Sequence, residues 1–193
     1  GMLHKQVNTE GLPGPLGSLA EQFAEAVRRI TAQLQAGEIS TDRWEAEFEI
    51  LLARYHTAGY LAGSGSETLS DQAATFVAGF IDEQLGFLQN FTVEIQQADE
   101  WQAGWTSRAE SYAAAIKVPY WKGETKMLPL PAMPAEGTNC LNNCGCRWRI
   151  EVIDEEAGDY DAYWEREKND SCQTCLVREK EWHPVRIRGG RLM

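Results

Sequence analysis

Cysteine placement constrains this chain more than any other feature. Its five cysteines all lie beyond residue 139, as Cys140-x3-Cys144-x-Cys146 and, after 25 intervening residues, Cys172-x2-Cys175. A Cys-x2-Cys turn offers two thiolates from one tight loop, and a second cysteine-rich loop offers the rest of the four soft ligands that zinc takes in a tetrahedron. An odd number cannot all pair as disulfides within one chain, which favours metal ligation in a reducing cytoplasm. A C-terminal unit of about 50 residues buries little core, and a bound metal is a common remedy. The expectation is one structural zinc held by four of Cys140, Cys144, Cys146, Cys172 and Cys175, with one thiol left over. Cys172 and Cys175 are the firmest ligands and Cys146 the next, with Cys140 and Cys144 competing for the fourth place. His183, eight residues past Cys175, is a weaker candidate and reads as a surface or packing residue.

Charge divides the chain at a similar point. Residues 1–100 carry 5 Lys/Arg against 15 Asp/Glu, a balance of −10, whereas residues 101–193 carry 13 against 14, a balance of −1. The overall net charge of −11 argues against a protein that grips phosphate backbones through a broad basic face. Residues 1–17 have no apolar stretch of the kind a signal peptide needs and read as a flexible leader broken by Gly11, Pro13, Gly14, Pro15 and Gly17. Nothing in the sequence is apolar enough for long enough to span a bilayer.

Four amphipathic helices are predicted over residues 18–118, joined in antiparallel hairpins. Leu19, Phe23, Val27, Ile30 and Leu34 recur at steps of three and four after Ser18, and Gly37 stops the first helix. Trp44, Phe48, Leu51, Leu52 and Tyr55 form the stripe of a second helix that begins near Ser40 or Thr41 and ends in a small-residue loop, Gly59 to Gly65. Thr68-Leu69-Ser70-Asp71 reads as a capping box for the third helix, with Val77, Ile81, Leu85 and Leu88 facing inward. A fourth covers Glu100 to Lys117, with Trp101, Trp105, Arg108, Tyr112 and Ile116 on one side and Pro119 as its stop. The stripes read as core rather than as a cofactor pocket. Residues 119–139, with Pro119, Pro129, Pro131 and Pro134, read as an extended connector. Residues 140–193 then alternate with period two at Arg147 to Val152, turn at 155–159, and return at Tyr160 to Trp164. A short helix near Cys175 to Trp182 and a last strand near Pro184 to Gly190 follow. The fold class is therefore α+β: mainly α, with a small zinc-ribbon-like β unit at the C-terminus.

Catalytic signals are weak. His56 sits on a helix with no readable partner and is expected at the surface, and His4 lies in the leader. Gly63-Ser64-Gly65 lacks the Gly-Lys-Ser/Thr of a phosphate-binding loop. Glu45, Glu47 and Glu49 read as a solvated face. Residues 151–170, nine acids against two bases, read as a partner-facing or solubilising patch, and Arg186, Arg188 and Arg191 as a solvated tail.

The segment Met133-Pro134-Ala135-Glu136-Gly137-Thr138-Asn139-Cys140-Leu141-Asn142-Asn143-Cys144-Gly145-Cys146-Arg147-Trp148 resembles the Pro-Gly-Asp-Gly-Thr-x-Cys-Leu-x-Asn-Cys-x-Cys-x-Trp phrase of tailed-phage head morphogenesis, or minor head, proteins. Asp170-Ser171-Cys172-Gln173-Thr174-Cys175 is similar to their His-Cys-x-x-Cys element, although no histidine precedes Cys172 here. Gly86 to Phe91 and Ser107 to Tyr112 resemble two of their helical segments, so the likeness covers roughly residues 20–190. It implies a non-enzymatic protein built into a capsid in few copies through contacts with portal or capsid protein. Such a protein sits in the bacterial host cytoplasm and then in the procapsid or virion, with self-association as a further option. Two other readings fit a cysteine-rich unit. One is a zinc-ribbon adaptor or regulator binding protein or nucleic acid through the arginine tail; the other is a metal-dependent hydrolase.

Overall fold

A computed structural model describes residues 14–134, 136–139, 145–166 and 172–193. The element order is α1 (Gly14–Gln35), α2 (Thr41–Ser64), α3 (Asp71–Gln97), α4 (Trp105–Ala114), α5 (Lys117–Glu124), β1 (Arg147–Asp154), β2 (Asp159–Glu165), α6 (Gln173–Glu181), β3 (Val185–Arg188) and β4 (Arg191–Leu192). The chain is thus mainly helical with a small antiparallel sheet at its C-terminal end.

Local chemistry sets the helix starts. Ser40 and Ser70 hold extended backbone and accept from the amides of Arg43 and Ala73, which satisfies one orphan N–H at each N-terminus. The cap of α3 is therefore Ser70 rather than a box opening at Thr68. Replacing either serine by alanine is expected to lower unfolding free energy by about 1 kcal/mol, read from urea denaturation. An unchanged midpoint in both variants would discount these caps.

Four boundaries differ from the sequence expectation. Helix α1 begins at Gly14, four residues before Ser18, because Pro15 sits in a first turn that needs no amide donor; Leu16 is thereby buried. Helix α2 runs through Gly59 and Gly63 to Ser64 and ends only at Gly65, which adopts φ +66°. Pro119 does not end a helix but lies in the first turn of α5, a helix inside the segment expected to be an extended connector. The predicted fourth helix is correspondingly shorter, starting at Trp105 behind Gly104, whose φ is +94°.

Helix α2 is central and packs against α1, α3 and α5, while α1 also packs on α4. Phe23 stacks on Tyr55 at 4.8 Å, and Trp44 meets Phe48 and Phe91 edge-on at 5.1 and 5.7 Å. The Trp44 indole donates to Thr31 Oγ1 at 3.1 Å, so its one polar atom is satisfied inside the core. Each such fully buried aromatic contributes roughly 1.5–3 kcal/mol of apolar burial. Arg28 of α1 bonds the buried Glu110 of α4 through Nε at 3.0 Å, pinning the two helices.

The four strands form a meander in the order β1-β2-β3-β4. Trp148 pairs with Trp164 across β1 and β2, and Ala162 with Val185 across β2 and β3. That register puts Trp148, Ala162, Trp164 and Ile187 on the buried face. One cluster of buried side chains is continuous from Leu16, Phe23 and Phe48 of the helices to Trp148, Trp164 and Cys175. The segment after α5 contributes Met133 to it, and Ala132 accepts the Trp148 indole hydrogen bond at 2.8 Å.

Candidate metal centre

Two of the five candidate ligands meet at the start of α6. Cys172 is its N-cap residue, with extended backbone (φ −71°, ψ 163°), and Cys175 lies three residues on in the first turn. On a helix these two positions face each other, the geometry that a capping box exploits. The sulfurs are 3.5 Å apart. A disulfide would bring them to about 2.05 Å. Two thiolates on one zinc, each at about 2.3 Å with a tetrahedral angle, would stand about 3.8 Å apart; the observed 3.5 Å is a thiol–thiol hydrogen-bond distance.

The chain segment that leads into Cys140 lies against this turn. The Asn139 amide donates to Thr174 Oγ1 at 3.3 Å, and the Thr174 hydroxyl donates back to Asn139 Oδ1 at 2.8 Å. One helical turn further along α6, the Arg178 guanidinium sits 5.1 and 4.9 Å from the ring centroids of Trp164 and Trp182. Its Nη2 is 3.5 Å from where a Cβ on Gly137 would stand, and Gly137 has φ +58°. Thr138, between the two contacts, is buried.

The other candidates separate. Cys146 is 3% exposed, immediately ahead of β1, and belongs to the hydrophobic cluster with Trp148 and Trp164. Cys140 and Cys144 lie outside the described residues. Among the described residues no three His, Cys, Asp or Glu side chains converge in a metal-binding group. His183 is exposed and packs edge-on against Tyr163 at 5.0 Å, the packing role expected of it.

His56 departs from expectation altogether. It is fully buried, not at the surface, between Phe23 of α1 and Phe80 of α3, with ring centroids 5.5 and 5.1 Å away. Neither ring nitrogen has a hydrogen-bond partner, and burial pushes its pKa down to about 3. A neutral, sealed imidazole of this kind has no route to a substrate and acts as core.

The charged segments also resolve. Arg149 and Arg147 both reach Glu165, Arg149 also pairs with Glu151, and Arg188 Nη2 lies 2.7 Å from Asp161 Oδ1. The arginine tail is therefore not simply solvated: Arg188 sits in β3 and Arg191 in β4, and Arg188 also donates to the Tyr160 carbonyl at 2.9 Å. Much of the acidic stretch in β1 and β2 is answered within the sheet.

A separate surface runs along α3. A cleft of about 620 Å³ is walled by Phe76, Phe80, Glu83 and Phe87, with Ala115 and Val118 opposite. Phe87 is half exposed there. No described helix is long and apolar enough to cross a membrane. Comparison with known proteins finds no matching family model, no matching curated protein and no matching solved structure.

Proposed function

We propose that this chain is a non-enzymatic assembly protein of a phage or prophage head, working by protein–protein contacts and stiffened by one structural zinc. The observation that carries the proposal is the Cys172–Cys175 pair at the start of α6, with the segment entering the head-protein-like cysteine phrase fastened beside it. The metal's ligands in this reading are Cys172 and Cys175 with Cys146 and one of Cys140 and Cys144, and the fifth cysteine is the spare thiol. Such a set is closed and leaves no position for a reacting water, which is why the role is structural rather than hydrolytic. The apolar cleft along α3 offers a partner face, and the acidic charge suits protein contacts better than DNA packing.

Purification under reducing conditions, followed by metal analysis and thiol counting in denaturant, tests the site. The expected result is one zinc per chain and a lower melting temperature after chelation, since a ligand that binds only the folded state stabilises it. A metal-free chain with two disulfides would sink the zinc reading. Failure to bind the portal or capsid protein encoded beside it would sink the assembly role.

A further inference from the structure

Strand β1 is an edge strand, and among the described residues its backbone pairs only with β2. Which of its backbone groups face outward follows from bonds deeper in the sheet. The Trp164 amide donates to the Trp182 carbonyl, just ahead of β3, at 3.3 Å. Trp164, and with it Ala162 and Tyr160, therefore turns its backbone toward β3. Their partners in β1 are Trp148, Ile150 and Val152, whose N–H and C=O groups consequently point at the open edge, while Arg147, Arg149 and Glu151 bond β2.

Charge changes sign along that edge. Arg147 and Arg149 precede Ile150, and Glu151 and Asp154 follow it. Edge charges that keep a strand unpaired act by repelling an incoming copy. These instead complement a copy turned end for end about a two-fold axis. With Ile150 opposite the partner's Ile150, Trp148 stands opposite the partner's Val152 and Arg149 opposite the partner's Glu151, each twice by symmetry. The three outward-facing residues then meet in hydrogen-bonding register, and the irregularity between Val152 and Asp154 falls outside them. Val152 lies on the same face as Trp148 yet is 56% exposed. A cleft of about 390 Å³ opens beside Trp148 and Ile150, walled by Tyr120 and Trp121 of α5, and this register brings the partner's Val152 to it. Beyond the strand, Lys126 reaches Glu155 by an exposed ion pair at 3.3 Å, which is readily exchanged.

We propose that two copies of this chain associate by antiparallel pairing of β1 about Ile150, joining their two sheets into one. The inference rests on neither the metal reading nor the head-assembly reading.

Sedimentation velocity of the full chain across a concentration series tests it. Arg149→Glu and Glu151→Arg each set like charges opposite one another at both symmetric positions, and each alone is expected to weaken self-association about 10-fold or more. Both side chains are exposed, so both variants should fold. Mixed in equal amounts, the two variants restore an acid opposite a base at both positions, and a heterodimer of parental strength is expected. Val152→Pro removes an outward amide and leaves the β2 ladder intact, so it should fold by circular dichroism and remain monomeric. Arg43→Glu and Glu47→Arg make the same charge changes at an ion pair on α2 and should associate like the parent. A parent that stays monomeric at about 500 µM overturns the proposal and leaves the edge to another protein or to solvent. Single β1 variants that dimerise like the parent, a mixture that stays monomeric, or a folded Val152→Pro that still dimerises overturns it as well.

Discussion

Gly63→Ala is expected to lower the stability of this chain by at least about 3 kcal/mol, despite replacing a glycine in the last turn of a helix with the best helix former. A Cβ at position 63 would stand 1.9 Å from the Tyr120 carbonyl oxygen and 2.8 Å from its carbon. Both are backbone atoms of α5, so no rotamer change relieves the overlap. The approach is mutual: a Cβ on Gly123 would lie 2.4 Å from the Tyr60 carbonyl and 2.7 Å from the Ser64 amide. Helices α2 and α5 are interlocked through two glycines and can accept a methyl group only by separating. Separation would loosen Ile116 and Trp121, both in the main buried cluster. Overpacking ordinarily costs about 1–3 kcal/mol, and rigid backbone on both sides places this case at or above that range. For a chain of this length each kcal/mol moves the melting temperature by about 2–4 °C, so a fall of roughly 6–12 °C is expected by circular dichroism. Gly86→Ala supplies the opposite sign. Gly86 is exposed on α3 with nothing within 4 Å of its Cβ position, and alanine there should add about 0.5–1 kcal/mol. A Gly63→Ala variant as stable as the parent would refute the interlocked packing.

Those glycines also show where a sequence stops being informative. Gly59, Gly63 and Gly65 read together as a loop, because glycine breaks helices in isolation. Only Gly65 does so here; Gly59 and Gly63 are spaced four apart and let Ile116 and Tyr120 approach. The two roles look alike until the partner helix is known. That helix was itself hidden, since Pro119 reads as a stop unless a helix is already known to begin at Lys117. By contrast, Ser40 and Ser70 act through their own backbone neighbours, and the period-two pattern of Arg147 to Val152 needs only one adjacent strand. Those elements were legible. The same distinction holds at the candidate metal centre. The Cys172–Cys175 pair is local and follows from spacing on a helix start. The Asn139–Thr174 link joins positions 35 apart by two ordinary polar residues, and no composition or periodicity marks them. Cys146 and Cys175 are both buried in the cluster that holds Trp148 and Trp164, so burial does not separate one thiol from the other.

Acidification from pH 7 to pH 5 is expected to cost about 2 kcal/mol through His56 alone. Its spacing, eight residues after Phe48 and four after Leu52, continues the buried stripe of α2, but its polarity made it read as a surface residue. In the folded chain the ring faces Phe23 and Phe80, its nitrogens have no partners, and burial lowers its pKa from 6.5 to about 3. The unfolded chain binds a proton near pH 6.5 and the folded chain does not until about pH 3. Between those values the unfolded state holds more protons, so stability falls as pH drops, by about 1.4 kcal/mol per unit. The contribution is intact above pH 6.5 and is lost progressively down to about pH 3. The interval from pH 6.5 to 5 lies above the range in which ordinary carboxylates titrate, and comparison with a His56 variant separates the histidine from Glu45, whose pKa is raised by burial and by Glu49. His56→Leu should remove the His56 part of the slope, about 1.4 kcal/mol per pH unit, in that interval. It should also raise stability at pH 7 by about 1–3 kcal/mol, because each buried donor or acceptor left unpaired is a standing cost that leucine removes. Urea midpoints for parent and variant at pH 7, 6 and 5 decide the matter. Parallel pH profiles would mean that the imidazole finds a hydrogen-bond partner or solvent in solution. Converging then crossing of the two profiles is not expected at any pH, since the variant starts more stable and loses less. The same substitution separates core from chemistry: a chain that gains stability after His56→Leu has its histidine where packing, and not catalysis, placed it.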